Sequence, residues 1–334
     1  MAAQPSGIPM QLSREAYVSN AWHLRRVPLT FGIGDRTLFS IPIRLHTRSA
    51  SLSERLPPQR DPRPPSEPAL DGADGYMLRA LPVDEELPTF TLCGGFIRYV
   101  TSQYGHCYVD LSIGFDSYKD KFSAKTRSTI LRKVRRFQEY CGGALEWRCY
   151  SAPSEVLEFH DQARKVSINT YQEKLLDAGI PDHEEFRKGM MKLAEAGRMR
   201  GYVLFHGERP VSYLYCPVEG EALIYAYLGY DPDYMKLSVG TILQWLALKQ
   251  IFEEGSFTYF DFTEGESDHK RLFATHQLRC ANVMFVRRNP RLAVLIALHE
   301  KANRLSRAAG RTADSWGLKA RIRRILRHGL TAPP

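Results

Sequence analysis

The chain has 334 residues, of which 43% are hydrophobic and 25% are charged. This composition is typical of one large or two smaller globular domains, and it excludes disorder as the main state. The longest uninterrupted apolar run, Leu292 to Leu298, is far shorter than the roughly 20 residues that cross a bilayer. The N-terminal residues do not show the basic and then apolar pattern of a signal peptide. We therefore expect a cytoplasmic protein.

The six cysteines predict neither a zinc site nor a disulfide framework, because no CxxC pair occurs and the residues are far apart. We expect buried, reduced thiols and no metal ion. The cysteines are Cys93, Cys107, Cys141, Cys149, Cys216 and Cys280.

The formal net charge of +9 is distributed unevenly along the chain. Residues 119–136 hold 8 Lys and Arg residues against the single acid Asp120, and residues 287–328 hold 12 against two acids. The rest of the chain is nearly neutral. Such basic stretches indicate an anionic partner, which includes nucleic acid and anionic lipid.

The elements of the first 144 residues are predicted from alternation and turn residues. Residues 28–45 alternate β-forming residues around Gly34-Asp35 and predict a hairpin. Residues 47–75 are rich in proline and predict a loop or linker that is partly disordered. Strands are predicted at 76–83, 96–104 and 106–113, and a basic helix is predicted at 124–140, ended by Gly142-Gly143.

From residue 145 the pattern changes several times within a short span. Strands are predicted at 145–150, 199–205, 210–217, 222–229, 258–262 and 277–287. Helices are predicted at 153–167, 183–196, 241–254 and 268–275. The helix 241–254 is nearly all apolar between Ile242 and Leu248, so we expect it to be buried.

This order of elements predicts a mixed α/β fold with a mostly antiparallel sheet, since a doubly wound sheet would alternate strands and helices throughout. Residues 222–262 form the one predicted crossover, in which a strand, a helix and a second strand pair in parallel. The start of the crossover helix is therefore the expected place for a phosphate group.

The sequence KLSVGT, residues 236–241, lies at that helix start. Gly240 lets a ligand approach the backbone, and the free amides of Ser238 to Thr241 are suited to a pyrophosphate. An ordinary helix start with Ser238 as N-cap explains the same residues. The sequence contains no GxxxxGK[ST] and no HExxH motif, which leaves P-loop and zincin chemistry without support.

The wider pattern resembles the GNAT superfamily of acyltransferases, and within it the Fem-like branch that includes the CelD-type cellulose-biosynthesis acetyltransferases. Four stretches carry the resemblance: FSAKTRSTILRKVRRF (122–137), GYVLFHGERPVSYLY (201–215), AYLGYDPDYMKLSVGT (226–241) and FDFTEGESDHKRLF (260–273). The resemblance implies a GNAT acyltransferase fold. It also implies an acyl-CoA, such as acetyl-CoA, as co-substrate, with its pyrophosphate on Leu237, Ser238, Val239, Gly240 and Thr241.

The resemblance further implies a division of the chain. Residues 145–290 are expected to form the GNAT domain, and residues 76–144 a partial second unit that contains the basic helix. Residues 1–75 are expected to be an accessory hairpin and linker, and residues 291–334 a basic helical tail. From Trp316 the tail has apolar residues at helical spacing, which suits either packing on its own domain or an anionic membrane surface. We therefore also consider a peripheral location at the inner membrane face.

Acyl transfer needs a base for the acceptor, a donor of hydrogen bonds to the oxyanion and an acid for the thiolate. By the resemblance, the backbone N–H groups near Leu228 to Tyr230 would face the thioester carbonyl. Asp231, Asp261 and Glu264 follow the two crossover strands, and Glu264 is our preferred base. Tyr230 and Tyr234 are candidates for the acid. Lys270, Asp261, Lys125 and Arg127 are candidates for binding the acceptor, while structural roles explain several of these residues equally well.

We expect an acyltransferase that uses acyl-CoA and acts on a small-molecule or sugar-linked acceptor, such as one of envelope polysaccharide synthesis. Leu237 and Ile242 depart from the usual GNAT loop, which has Gln or Arg and a second small residue at these positions. One alternative is therefore a Fem-type transferase whose donor is an aminoacyl-tRNA. A non-catalytic binding module with the same fold is another. The acyl group, the acceptor atom and the oligomeric state are left open.

Overall fold

The computed structural model describes residues 21–33, 36–170 and 179–315. Their contacts divide the chain into two units. Unit 1 contains Met1–Ser49, Pro58–Gln103 and Ala281–Pro334, and unit 2 contains Ala50–Pro57 and Tyr104–Cys280. The units do not follow the predicted boundaries at residues 75, 144 and 290, because two long strands each contribute residues to both units. The predicted division of the chain into a GNAT domain, a partial second unit and two terminal segments therefore stays a prediction.

Unit 1 is a sheet with one long helix. Its strands are β1 (His23–Ile33), β2 (Arg36–Ser49), β3 (Gly75–Pro82), β4 (Phe90–Cys93), part of β5 (Phe96–Asp110) and part of β12 (His276–Arg287). β1 and β2 pair antiparallel, which confirms the predicted hairpin, although residues 34–35 lie outside the described residues. The long helix (Pro290–Ser315) packs Leu292, Leu295 and Ile296 against the hairpin.

A second parallel strand pair, which the sequence did not predict, also lies in unit 1. Leu45 to Ser49 of β2 pair in parallel with Gly75 to Arg79 of β3. The Pro-rich residues between these strands have little regular structure, as predicted. They are nevertheless anchored, because Arg98 donates a hydrogen bond of 2.6 Å to Asp61. A long connection of this kind is what returns the chain to the start of a parallel neighbour.

Unit 2 contains most of the predicted strand and helix order. Its strands run in the order β5, β11 (Tyr259–Asp261), β9 (Ala222–Ile224), β8 (Arg209–Glu219), β7 (Met199–His206) and β6 (Trp147–Tyr150), and β10 (Tyr227–Tyr230) pairs with β8. Its helices are α1 (Gly114–Asp120), α2 (Ala124–Tyr140), α3 (Val156–Ser167), α4 (Glu184–Glu195), α5 (Val239–Glu254) and α6 (Asp268–Phe273). The helix of unit 1 is α7. The predicted helix 124–140 is confirmed to the residue.

Helices cover both faces of the unit 2 sheet. Leu214 and Cys216 of β8 belong to a core shared with α1, α2 and α5, while Tyr213 and Tyr215 belong to a core shared with α3 and α4. Because α5 packs between the sheet and other helices, its almost uniformly apolar sequence is explained. The prediction that this helix is buried is confirmed.

The predicted crossover is also confirmed. Leu223 of β9 lies opposite Phe260 of β11 in a parallel pair, and α5 connects the two sides. The fold is therefore a mixed α/β fold with a mostly antiparallel sheet and a parallel crossover, as predicted from the order of elements. The predicted strand 222–229 is broken into β9 and β10, and that break shapes the site described below.

The predicted basic tail from Trp316 lies outside the described residues. Within the described part of the chain, α7 ends at Ser315, and no helix there is long and apolar enough to cross a bilayer. All six cysteines are free thiols, four of them buried.

Candidate functional site

The two parallel strands of the crossover separate after three paired residues. β9 and β11 pair as far as Ile224 and Asp261, and the N–H of Tyr225 donates to the carbonyl of Asp261 at 2.8 Å. The next strand, β10, pairs only with β8, with Gly229 opposite Tyr213. We name the divergence between β10 and the residues that follow β11 the cleft.

The free edge of β10 faces this cleft. In an antiparallel pair, the residues that bond to the partner strand alternate with residues whose N–H and C=O groups point the other way. Asp231 donates its N–H to the carbonyl of Val211 at 2.9 Å, so the bonded positions on β10 are the odd-numbered ones. The N–H groups of Leu228 and Tyr230 consequently point away from β8.

The N-terminus of α5 lies beside β10. A 3-10 helix (Pro232–Leu237) leads into it, and Ser238 has a φ of 59° in the left-handed region. The N–H of Ser238 donates to Met235 and that of Thr241 donates to Ser238, which leaves the N–H groups of Val239 and Gly240 for another acceptor. The Ser238 side chain makes no cap hydrogen bond. Two of the four N–H groups that were predicted to bind a pyrophosphate therefore already have acceptors within the loop.

Gly240 is not required by the packing of the protein. A Cβ added there would lie 3.4 Å from Cδ1 of Tyr230 and 3.5 Å from Cδ2 of Leu228, which are ordinary or slightly tight contacts. Gly229 is different, because its added Cβ would lie 2.3 Å from Cε1 of Tyr213. A glycine in the first turn of a helix that neither φ nor packing demands leaves room for a ligand at the helix terminus.

The basic helix α2 ends next to the segment that precedes α5. The rings of Tyr140 and Tyr234 meet edge to face with centroids 6.2 Å apart. Arg136 and Lys133 precede Tyr140 by four and seven residues and therefore lie on the same side of the helix. In the described part of the chain neither has an ion-pair partner within 4.0 Å, and the charge of Lys133 acts on His269 of α6.

The two predicted acceptor-binding residues at the start of α2 differ in their surroundings. Lys125 is exposed. Arg127 forms an ion pair of 3.2 Å with Asp120, so its charge is already partly compensated. Both lie at the opposite end of α2 from Tyr140.

Asp231 has a structural environment. Its carboxylate is buried, accepts a hydrogen bond of 2.6 Å from Arg209 and caps the 3-10 helix through the N–H of Asp233. Tyr230 is 37% exposed and lies at the end of β10. The hydroxyl of Tyr234 is 2.8 Å from Nδ1 of His206, and burial raises the pKa of this tyrosine. Of the two tyrosines, Tyr230 is the more exposed, since Tyr234 is buried.

Asp261 forms a buried pair with a residue that the sequence analysis had not assigned. Oδ1 of Asp261 lies 2.5 Å from Nε2 of His106, and the same oxygen accepts the N–H of Thr263 at 2.6 Å. Burial alone lowers the pKa of His106, but the charge and hydrogen bond of Asp261 outweigh it and raise the pKa to about 10. The imidazolium form of His106 is therefore favoured.

Glu264 and Lys270 belong to the loop after β11. Nζ of Lys270 donates to the carbonyl of Glu264 at 2.7 Å, so this lysine closes the loop through its backbone. The Glu264 side chain is half-buried in the same loop. Thr263 has a φ of 61°, which turns the chain sharply just after β11. His269 lies against Phe273, and burial lowers its pKa to about 4. Its side chain is half-buried.

Three polar residues of the buried interior were not identified from the sequence. They are His106, Glu219 and Gln244, each of which is at most 7% exposed. The pKa of Glu219 is raised to about 7, first by burial and then by the charges of Asp261 and Glu54. The available signal was a polar residue inside an apolar run, as in the ILQWLAL of α5. Among the described residues, no group of three or more possible ligands could hold a metal ion.

Comparison with known families adds to this geometry. Residues 124–271 match the acetyltransferase (GNAT) domain family. The match covers 148 of the 334 residues. This segment lies within unit 2 and includes the crossover, the N-terminus of α5 and the basic helix α2. Membership of the Fem-like or CelD-type branch stays a prediction.

No curated protein matches the sequence. Among solved structures, FemX is 10% identical, with 82% of this chain and 90% of that chain covered and a TM-score of 0.46. The C-terminal domain of a putative lysylphosphatidylglycerol synthetase from Agrobacterium fabrum is 12% identical, with 68% and 72% covered and a TM-score of 0.44. A GCN5-related N-acetyltransferase from Kribbella flavida is 12% identical, with 59% and 62% covered and a TM-score of 0.32.

Proposed function

We propose that the GNAT domain transfers an acyl group from an acyl-CoA to an amine or hydroxyl of a small-molecule or sugar-linked acceptor. The observation that carries the proposal is the cleft between β10 and β11, whose free N–H groups lie beside an uncapped helix N-terminus. This arrangement suits a ligand that has an extended arm at one end and phosphates at the other.

The residues present fit such a donor. The N–H groups of Val239 and Gly240 would hold the pyrophosphate, aided by the positive end of the α5 dipole. Arg136 and Lys133 share a side of α2 with Tyr140, which contacts Tyr234, and we propose that they attract further phosphate charge. Leu237, Ser238 and Thr241 shape the loop rather than offering free amides, since the N–H groups of Ser238 and Thr241 are already bonded.

When bound, the donor would supply an activated thioester carbonyl. The N–H groups of Leu228 and Tyr230 are oriented to stabilise negative charge on that oxygen. Glu264, in the loop after β11, is the residue we propose as base for the acceptor. We propose the hydroxyl of Tyr230 as the acid for the leaving thiolate, because Tyr230 is the last residue of β10 and is 37% exposed.

Two other carboxylates are better explained by structure. Asp231 is engaged by Arg209 and by the 3-10 helix, and Asp261 is engaged by His106 and Thr263. We therefore propose that they position the two strand ends. Lys270 supports the Glu264 loop, and Lys125 and Arg127 would contribute only long-range attraction to an anionic acceptor.

One observation favours a second candidate. The exposed basic residues of α2 suit a polyanion as well as the phosphates of CoA, so an aminoacyl-tRNA donor is the alternative. A salt-sensitive complex with tRNA, and no binding of acyl-CoA, would favour it.

The proposal is tested by isothermal titration calorimetry of the full chain with acetyl-CoA and longer acyl-CoAs. Gly240→Ala should fold normally, because its methyl group meets only Tyr230 and Leu228 at ordinary distances. We expect it to stabilise the protein by up to about 1 kcal/mol, as Gly to Ala does in a helix. We also expect acyl-CoA affinity to fall at least tenfold, which is about 1.4 kcal/mol.

Gly189→Ala is the matched control. Gly189 lies in α4, and a Cβ added there meets nothing within 4 Å. This variant should gain similar stability and keep wild-type affinity. Absence of acyl-CoA binding by the wild-type chain would overturn the proposal and move the tRNA alternative ahead.

A further inference from the structure

The long helix α7 of unit 1 exposes large apolar residues along one side. Its other side packs on the hairpin through the buried Ile296. On the exposed side, Val294 is 59% exposed, Leu298 53% and Leu305 72%. Single exposed apolar residues are ordinary on a protein surface, whereas several on one side of a helix mark an interaction surface.

The exposed residues of α7 follow one side of the helix throughout. Residues that are four and seven positions apart lie on the same side, so Val294, Leu298 and Leu305 form a row about 16 Å long. We call the exposed side of this helix the outer face of α7. Between residues 291 and 306 its members are Arg291, Val294, Ala297, Leu298, Lys301, Arg304 and Leu305.

The outer face of α7 is basic and contains no acid. Among the described residues, Arg291 and Lys301 have no ion-pair partner within 4.0 Å. Arg304 pairs with the buried Glu300 at 2.7 Å, so its charge is compensated. Arg288, which is exposed, precedes the helix. Cations at a helix N-terminus oppose the helix dipole, and an anionic partner would offset that repulsion.

The charge of the outer face excludes two occupants that the chain itself could supply. A second copy of the same face would bring like charges together across a two-fold interface. The tail after Ser315 has five basic residues and no acid, so it would be repelled in the same way. The partner must therefore be anionic.

The apolar row decides between anionic partners. A nucleic acid would bind the cations but would leave Leu298 and Leu305 without an apolar partner. A partner helix needs a continuous apolar seam, and Lys301 interrupts the row between these two leucines. An anionic lipid surface provides both chemistries, because a lysine reaches the phosphates of the headgroups while its apolar neighbours enter the acyl boundary.

We propose that the outer face of α7 binds an anionic lipid surface. Val294, Leu298 and Leu305 enter the boundary between headgroups and acyl chains, and Arg291 and Lys301 bind lipid phosphates. An interfacial helix of this kind inserts its apolar side by about 5–10 Å. The inference concerns unit 1 alone and does not depend on the donor or the acceptor proposed above.

The test measures how the full chain partitions onto vesicles of phosphatidylglycerol and phosphatidylcholine. Leu298→Ser/Leu305→Ser should unfold at nearly the wild-type temperature, because both residues are exposed. We expect its partition coefficient to fall at least tenfold, since two leucines no longer leave water. Leu131→Ser/Leu157→Ser is the matched control, with leucines that are 42% and 56% exposed on helices of unit 2. It should partition as the wild type does.

The basic residues are tested on the same vesicles. Arg291→Gln/Lys301→Gln should lower the partition coefficient about tenfold, and the difference should decrease at high salt. Vesicles of phosphatidylcholine alone should bind the wild type at least tenfold more weakly. Every variant keeps the tail, so a loss of binding belongs to the outer face of α7.

A second measurement locates the contact. Leu298→Trp and its control Leu157→Trp are mixed with vesicles whose acyl chains carry bromine, which quenches tryptophan fluorescence at close range. After subtraction of the wild-type signal, the tryptophan at position 298 should be quenched and the one at position 157 should not. Equal signals from the two variants would contradict insertion of the outer face.

Wild-type partitioning of both the leucine and the basic variants would overturn the inference and assign any vesicle binding to the tail. A wild-type chain that does not bind the vesicles would also overturn it. Light scattering without vesicles is the remaining check. Self-association of the wild type that Leu298→Ser/Leu305→Ser abolishes would assign the face to a second copy instead. None of these outcomes affects the acyltransferase proposal.

Discussion

Asp261 and His106 form a buried ion pair, with Oδ1 and Nε2 2.5 Å apart and side chains 5% and 3% exposed. The pair joins the end of β11 to β5, the neighbour on the side of β11 away from β9. Because Asp261 also accepts the N–H of Thr263, it fixes the first residue of the Glu264 loop. The orientation of the proposed base thus depends on a pair that does not itself face the reaction.

This pair predicts how stability depends on pH. The pKa of His106 is about 10 in the folded protein against 6.5 for an ordinary histidine. Its contribution to the free energy of unfolding is therefore complete below pH 6.5 and is lost as the pH rises toward 10. Urea unfolding at a series of pH values should show that the difference between wild type and His106→Gln decreases across this window.

A double-mutant cycle completes that test. Asp261→Asn alone should cost about 3–5 kcal/mol, because it leaves a buried charge without its partner. Asp261→Leu combined with His106→Leu should cost less than the sum of the single changes. A stability difference that is independent of pH, or additive single changes, would show that the pair is not ionised.

The roles of Glu264 and Asp231 are separated by comparing activity with stability. Glu264→Gln should change the free energy of unfolding by no more than about 0.5 kcal/mol, since the residue is only half-buried. It should lower kcat about 100-fold or more if Glu264 is the base. Asp231→Asn should instead cost about 1–3 kcal/mol, because it weakens the pairing with Arg209. A Glu264→Gln enzyme with full kcat would remove this residue as base.

The basic residues in the C-terminal half of α2 predict that CoA affinity depends on the phosphates of the ligand. Arg136→Ala and Lys133→Ala should each weaken CoA binding about fivefold, the upper range for a surface charge pair. Binding of 3′-dephospho-CoA should change less, and added salt should reduce the difference. Lys188→Ala on α4 is the matched control, since Lys188 pairs with Glu184 away from the site. Equal effects on both ligands would place the two residues away from the 3′-phosphate.

The sequence of the C-terminal tail suits packing on its own domain or an anionic membrane surface, and vesicle binding separates the two. If the tail binds a membrane, the full chain should sediment with vesicles that contain phosphatidylglycerol, and should do so less at high salt. Each basic residue near an anionic surface contributes about 1 kcal/mol. Replacing all five by glutamine should abolish the binding, whereas neutral vesicles should bind neither protein. Equal sedimentation of both forms would contradict a role for the tail. The five residues are Lys319, Arg321, Arg323, Arg324 and Arg327.

Much of unit 2 was predictable because its signals are local. The helix at Ala124–Tyr140 is bounded by Ser123 as N-cap and by two glycines, and these residues act within one turn of the helix ends. The crossover was predictable because a strand, a buried helix and a strand allow few arrangements. The second parallel pair in unit 1 was missed, since pairing between β2 and β3 depends on where the 25 intervening residues 50–74 return the chain.

The candidate site was predicted only in part, because some of its features depend on neighbouring residues and others on residues far apart in the sequence. The sequence by itself determined the mixed α/β order, the placement of Gly240 at a helix start and the basic character of α2, because each depends on neighbouring residues. Only the tertiary structure decided that Asp261 meets His106, 155 positions away, that Asp231 is occupied by Arg209, and that Gln244 is buried without a partner. These relationships follow from which strands lie side by side and how a helix is rotated over them, and no local propensity encodes either.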